Sequence, residues 1–130
     1  MYTYQETVEF EDVDSYNIAH HTKIIAYLER ARVHFFTNNN IDILSLQYGP
    51  VITKINIQFK LSLLMLDKIN IFVKIIKIDK IRFEWEYIIK KKDKIAVIAT
   101  IEQVLINKTT KKIITIPEEI KQILNTIKIK

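Results

Sequence analysis

The chain has 130 residues, 48% of them hydrophobic and 27% charged, enough for one buried core and not two, so a single domain over residues 1–130 is expected and a multidomain assembly is excluded. No apolar run approaches the roughly 20 residues of a bilayer span, and the opening MYTYQETVEFEDVD is acidic where a secretory leader is basic; a cytoplasmic protein without integral membrane contact is expected, and with no cysteine there is no disulfide or thiolate chemistry. The net charge of +5 comes from 20 basic residues of which only Arg30, Arg32 and Arg82 are arginine, a lysine excess that gives weak support to a nucleic-acid partner, and none is expected.

The charge is unevenly spread: residues 1–50 hold 3 bases and 7 acids, residues 51–130 hold 17 bases and 8 acids. An anionic ligand is therefore expected to meet the second half.

Tyr2 to Phe10 alternates loosely and is rich in Thr, Tyr, Val and Phe, which predicts a strand. Glu11 to Ala19 has three acids, a Ser and an Asn without a period, and reads as an ordered loop. From about His21 to Asn38, Ile24, Leu28, Ala31 and Phe35 fall on one helical stripe that Ile25, Val33 and Phe36 widen, predicting a well-buried helix ended by Asn38-Asn39-Asn40.

Gly49-Pro50 marks a change of regime. Beyond it Val51, Thr53, Ile55, Ile57 and Phe59 are expected on one face of a strand, with Lys54, Asn56, Gln58 and Lys60 on the other. Ile69–Asp79, Ile81–Lys90 and Ile95–Asn107 read as an antiparallel meander, Ile113 and Ile114 as a stub, and Pro117-Glu118-Glu119 as the first turn of a short helix. A strand, a buried helix and four or five more strands make an α+β plan in which the sheet covers the helix. The long Ile-rich edges predict a homodimer or homotetramer.

Functional side chains concentrate in FEDVDSYNIAHHTKIIAYLERAR, residues 10–32, where Asp12, Asp14, His20 and His21 straddle the loop and helix start. A carboxylate there can serve as base or nucleophile, and free N–H groups of a first helical turn can polarise a carbonyl oxygen. The plainer role for either Asp is capping or turning the loop. A metal site built from His20, His21, Glu9, Asp12 and Asp14 is disfavoured because adjacent histidines rarely face one ion. Ser15, Ser45 and Ser62 lack a nucleophile-elbow context. Phe83, Trp85 and Tyr87 alternate with charged residues and are expected in the core, and His34 beside the helix stripe is expected to be packed or partly exposed.

The order Asp-x-Asp, five residues, His-His and then Leu-Glu-Arg-Ala-Arg resembles the acyl-CoA thioesterases of the 4-hydroxybenzoyl-CoA thioesterase group, particularly the branch associated with the bacterial Tol-Pal system. Tyr48-Gly49, Leu66-Asp67, Lys80-Ile81-Arg82-Phe83 and Ile116-Pro117 extend the likeness along the chain. The resemblance implies a hotdog fold, a five- to six-stranded antiparallel sheet wrapped around one long central helix. It also implies hydrolysis of a small or medium acyl-CoA without cofactor or metal, with an acyl carrier protein thioesterase or a non-catalytic acyl-binding protein as alternatives.

By the same resemblance Asp14 is the catalytic carboxylate, Asp12 is structural, and His21 supplies a backbone N–H to the thioester oxygen. Tyr16, Lys80 and Arg82 are the substrate-binding candidates, with Lys77 and Lys90 behind them for the phosphates of CoA. An ion pair of Glu29 with Arg32 accounts for the helix signature. Two departures from the family pattern stand out: Asn17 replaces a usual glycine, and His21-Thr22-Lys23-Ile24 replaces His-x-Asn-aromatic.

Overall fold

The computed structural model describes residues 1–129. Six strands form one sheet: β1 (Tyr2–Thr7), β2 (Tyr48–Phe59), β3 (Lys68–Ile78), β4 (Arg82–Lys91), β5 (Lys94–Asn107) and β6 (Ile113–Ile114). The order is β1-β3-β4-β5-β2, all ladders are antiparallel, and β6 pairs with Leu105 and Ile106 of β5. The expected meander is present within a residue or two at each end. Short connections enforce it: β4 turns into β5 through Lys92-Asp93, with Lys92 at φ 57°.

Helix α1 (His21–Asn38) has the predicted span. Its stripe of Ile24, Leu28, Ala31 and Phe35 is buried, as is Phe36. It stops at Asn39, whose side-chain amide donates to the Phe35 carbonyl at 2.8 Å, and Asn40 takes φ 62°. The helix lays this stripe on aromatic residues of β4. Phe35 and Phe36 each meet Trp85 edge-to-face with ring centroids 5.8 Å apart, and Phe83 and Tyr87 flank Trp85. Trp85 and Tyr87 are fully buried, so the aromatic alternation of β4 is core, as expected.

The short second helix expected from Pro117 onward is also present. Helix α2 (Glu118–Asn125) follows Pro117 and buries Ile120 and Leu124, and 3₁₀ turns form at Phe10–Asp12 and Ile43–Ser45. His34 is exposed, with its ring 4.6 Å from that of Tyr4.

Strand β2 corrects the sequence reading. A bulge between Ile52 and Lys54 breaks its register with β5, and an inserted residue exchanges the two faces. Ile52 and Ile57, of opposite parity, therefore pack on the core. Val51, Ile55 and Phe59 are exposed by 42%, 41% and 55%. Among the described residues β2 pairs only with β5, so its far edge is unpaired there. Pro50 is tolerated because an edge strand can leave one position without a donor. The single glycine, Gly49, lies inside β2 and has no positive φ.

Candidate active site

The loop between β1 and α1 is pinned at both ends by Asp12. Its carboxylate oxygen Oδ2 accepts from the Tyr27 hydroxyl at 2.6 Å and from the Glu9 N–H at 3.0 Å, and its carbonyl accepts from the His20 N–H at 2.9 Å. Lys23 Nζ lies 3.9 Å from Oδ1. Burial alone would raise the Asp12 carboxyl; the Tyr27 hydroxyl, the Glu9 N–H, Lys23 and Arg30 outweigh it and hold the group below its ordinary value. Burial, then the bond to Asp12, pushes the Tyr27 hydroxyl strongly upward, so it remains a donor. Lys23, a departure from the family pattern, is thus turned toward Asp12.

Between those anchors the chain reverses tightly. Val13 bridges Ala19, the Asp14 N–H donates to the Ile18 carbonyl at 3.0 Å, and the Asn17 N–H donates to the Asp14 carbonyl at 3.0 Å. Asn17 takes φ 62°, which a usual glycine adopts freely and asparagine tolerates. Its side-chain oxygen also accepts from the Met65 N–H at 3.0 Å, tying the loop to the segment before β3.

This reversal orients Asp14, which is half-buried. Oδ1 accepts from the Tyr16 and Ile18 N–H groups at 2.8 and 3.1 Å, while Oδ2 has no hydrogen bond among the described residues. One oxygen fixes the carboxylate and the other faces no protein partner.

Helix α1 begins at His21, and His20, its N-cap, makes no side-chain cap bond. The Lys23 and Ile24 N–H groups donate to the His20 carbonyl at 3.0 and 3.2 Å, so the N–H groups of His21 and Thr22 are those of the first turn without a partner among the described residues. Asp14, His20, His21 and Ile24 line one cleft of about 370 Å³ together with Phe59 and the Lys60–Leu63 segment. A free carboxylate oxygen and open helix-start donors facing one cleft can activate water, or attack, at a carbonyl whose oxygen is held.

The cleft unites Asp14 and His21 but not the other candidates. Tyr16 contributes its backbone N–H to Asp14, and its side chain is 82% exposed. Lys80 and Arg82 sit at the β3–β4 hairpin, where Arg82 Nε lies 3.7 Å from Glu102 Oε1, and neither lines the cleft. Lys60 does line it, a cation that the sequence placed only on the polar side of β2. The Glu29–Arg32 ion pair is absent among the described residues. Arg32 is buried and donates to the Tyr87 hydroxyl at 3.1 Å, and it is Arg30 that pairs, with Glu6 at 3.1 Å.

A sheet packed on one long helix, with an acid-bearing loop at the helix start, defines a hotdog fold of the thioesterase type. The chain belongs to the Thioesterase-like superfamily, whose sequence pattern matches residues 8–124. A comparison with curated proteins finds no match. Among solved structures it resembles a hypothetical protein from Aquifex aeolicus at 22% identity and TM-score 0.91, over 95% of this chain and 99% of that one. The 1,4-dihydroxy-2-naphthoyl-CoA thioesterase from Synechocystis matches at 15% identity and TM-score 0.88, over 95% of each chain. The BH1999 gentisyl-coenzyme A thioesterase matches at 22% identity and TM-score 0.85, over 92% of this chain and 98% of that one. No helix among the described residues is long and apolar enough to cross a membrane.

Proposed function

We propose that this protein hydrolyses the thioester of a small or medium acyl-CoA in the cytoplasm, without a cofactor, as a homodimer or homotetramer. The observation that carries the reading is the Asp14 carboxylate, fixed through Oδ1 and free at Oδ2, in one cleft with the open start of α1. Membership of the Thioesterase-like superfamily supports it. So does the loop sequence, which resembles the Tol-Pal-associated branch.

In the proposed reaction the thioester carbonyl oxygen accepts from the His21 N–H, which withdraws electron density from the carbonyl carbon. Asp14 then either removes a proton from an attacking water or itself attacks that carbon to give an anhydride that water opens. In both routes the C–S bond breaks and the thiol leaves with one proton; the acid takes its new oxygen from water in the first route, and in the second either from water or from Asp14, whose carboxylate water then restores. Both exploit the oxygen that the loop leaves free. Lys60 at the cleft, with Lys80 and Arg82 as the more distant candidates, supplies cations for the phosphates of CoA. The unpaired edge of β2, with Val51, Ile55 and Phe59 exposed along it, supports pairing with a second copy.

A panel of acyl-CoA thioesters of increasing chain length, followed by release of free thiol, tests the reading. Saturable hydrolysis of at least one member is expected; saturable binding without turnover across the panel would leave an acyl-binding protein.

A further inference from the structure

A second cavity, of about 450 Å³, lies between α1 and β2 and shares no lining residue with the Asp14 cleft. Two of its lining side chains are buried and polar: Arg32 and Gln103 expose only 5% and 3% of their surface. Phe36, Val51 and Ile52 contribute apolar wall, and Glu29 stands exposed at the mouth.

Arg32 carries a charge that it cannot shed, yet no carboxylate forms an ion pair with it among the described residues. Its one hydrogen bond goes to the neutral Tyr87 hydroxyl. A buried charge without a counter-ion is costly, whereas a guanidinium can satisfy both oxygens of a carboxylate at once.

Gln103 points to the same chemistry. Its Oε1 accepts from Trp85 Nε1 at 2.8 Å. The indole can only donate, so the amide orientation is fixed and the Gln103 NH₂ group remains, a donor without a partner among the described residues. The cavity thus presents a cation and a neutral donor, from two buried residues whose free polar atoms open onto it, on a wall that is otherwise apolar except for Glu29 at its mouth.

We propose that this cavity binds a carboxylate carried on an apolar body, with Arg32 pairing to its two oxygens and Gln103 donating alongside. The carboxylate has two possible sources, a free organic acid or the far end of an acyl group, and the second rests on the thioesterase reading. Antiparallel pairing of β2 with a second copy about the strand's midpoint sets Tyr48 opposite Phe59 of that copy. That pairing sets Pro50–Ile52 of this cavity opposite Ile55–Ile57 of the other copy, two residues short of that copy's Phe59–Leu63 cleft wall, the route by which an acyl group would reach it.

Trp85 is the single tryptophan, bonded to Gln103 and packed on Phe36, so its fluorescence reports occupancy. Sodium benzoate titrated at constant ionic strength should give a saturable change in wild type, with benzamide binding at least about tenfold more weakly. Arg32→Gln should abolish the preference. Because a buried variant can misfold, Val33→Phe provides an independent arm: it fills the cavity from an exposed position on α1, away from the β2 edge, and should also abolish benzoate binding. Glu29→Gln should tighten it by removing a like charge.

The kinetic arm compares glutaryl-CoA with valeryl-CoA. A preference for glutaryl-CoA that Val33→Phe removes assigns the site to the acyl end, and benzoate binding without that preference assigns it to a free acid. Equal behaviour of benzoate and benzamide, with no preference for glutaryl-CoA, would overturn the proposal. Failure of benzoate to bind, combined with dissociation of an oligomer by Arg32→Gln, would also overturn it, because a second copy would then hold the counter-ion. If no thioester is hydrolysed, the thioesterase reading falls and the benzoate arm still decides this one.

Discussion

The Tyr27 hydroxyl and the Asp12 carboxylate, 15 residues apart, meet at 2.6 Å beneath the loop that carries Asp14. Their bond links the buried face of α1 to the turn before it, so the position of the loop that carries Asp14 is set from inside the core.

Tyr27→Phe removes that hydroxyl and nothing else. It leaves a buried carboxylate short of one donor, which should cost about 1.5–3 kcal/mol by denaturant unfolding. A change below about 0.5 kcal/mol would mean that the Glu9 N–H and Lys23 satisfy Asp12 unaided.

Asp12 gives the stability a pH dependence of fixed sign. Its carboxyl is held below the ordinary 3.8 in the folded chain, so the ionised form favours folding. That contribution is full above about pH 4 and disappears as pH falls through the lowered folded value. Wild type should therefore lose stability in that acidic window, and Asp12→Asn should start lower and lose less across it. Parallel acid profiles for the two proteins would contradict the assignment.

His21 is proposed to act through its main chain. His21→Ala keeps the N–H and should retain most turnover, whereas His21→Pro removes the donor and should be far worse while tolerating the first helical position. Equal losses in His21→Ala and Asp14→Asn would indicate imidazole chemistry instead.

The phosphate-binding candidates separate by salt. Lys60→Glu should raise KM for acyl-CoA by about tenfold at low ionic strength and less at high, since screening weakens exposed charge pairs. A truncated thioester without the nucleotide should not respond. The Lys80→Glu, Arg82→Glu double variant should match Lys60→Glu only if a second copy brings the β3–β4 hairpin to the cleft. Unchanged KM in both variants would remove phosphate recognition from all three residues.

Most of the fold was legible because local patterns and tertiary demands agree. The stripe from Ile24 to Phe35 and the alternation through Phe83, Trp85 and Tyr87 each point one face inward, and the structure buries those faces. β2 was misread because a bulge is a register event. Nothing in Thr53 announces it, and it turns Val51 outward while Ile55 and Phe59 keep the face of Ile57 at the exposed edge. The cluster in the loop was legible because Asp12, Asp14 and His21 are close in sequence. Lys60, Tyr27 and Gln103 were not, since each reaches its place only through folding: Lys60 at the end of an edge strand, Tyr27 three residues beyond Ile24 on the buried face, and Gln103 opposite Phe83 on β5, where it meets the Trp85 indole. The Glu29–Arg32 pair failed for a related reason, because helical spacing allows it and burial of Arg32 against Tyr87 overrides it.

The most direct test of the account is turnover of an accepted acyl-CoA by Asp14→Asn beside Asp12→Asn, with folding of each checked by circular dichroism. Asn keeps an oxygen for the Tyr16 and Ile18 N–H groups and removes the base or nucleophile, so Asp14→Asn should stay folded, bind substrate and lose at least about a hundredfold in kcat. Asp12→Asn should lose stability more than rate. Wild-type kcat in Asp14→Asn, or a folded Asp12→Asn that is the inactive variant, would contradict the assignment of Asp14 as the reactive carboxylate.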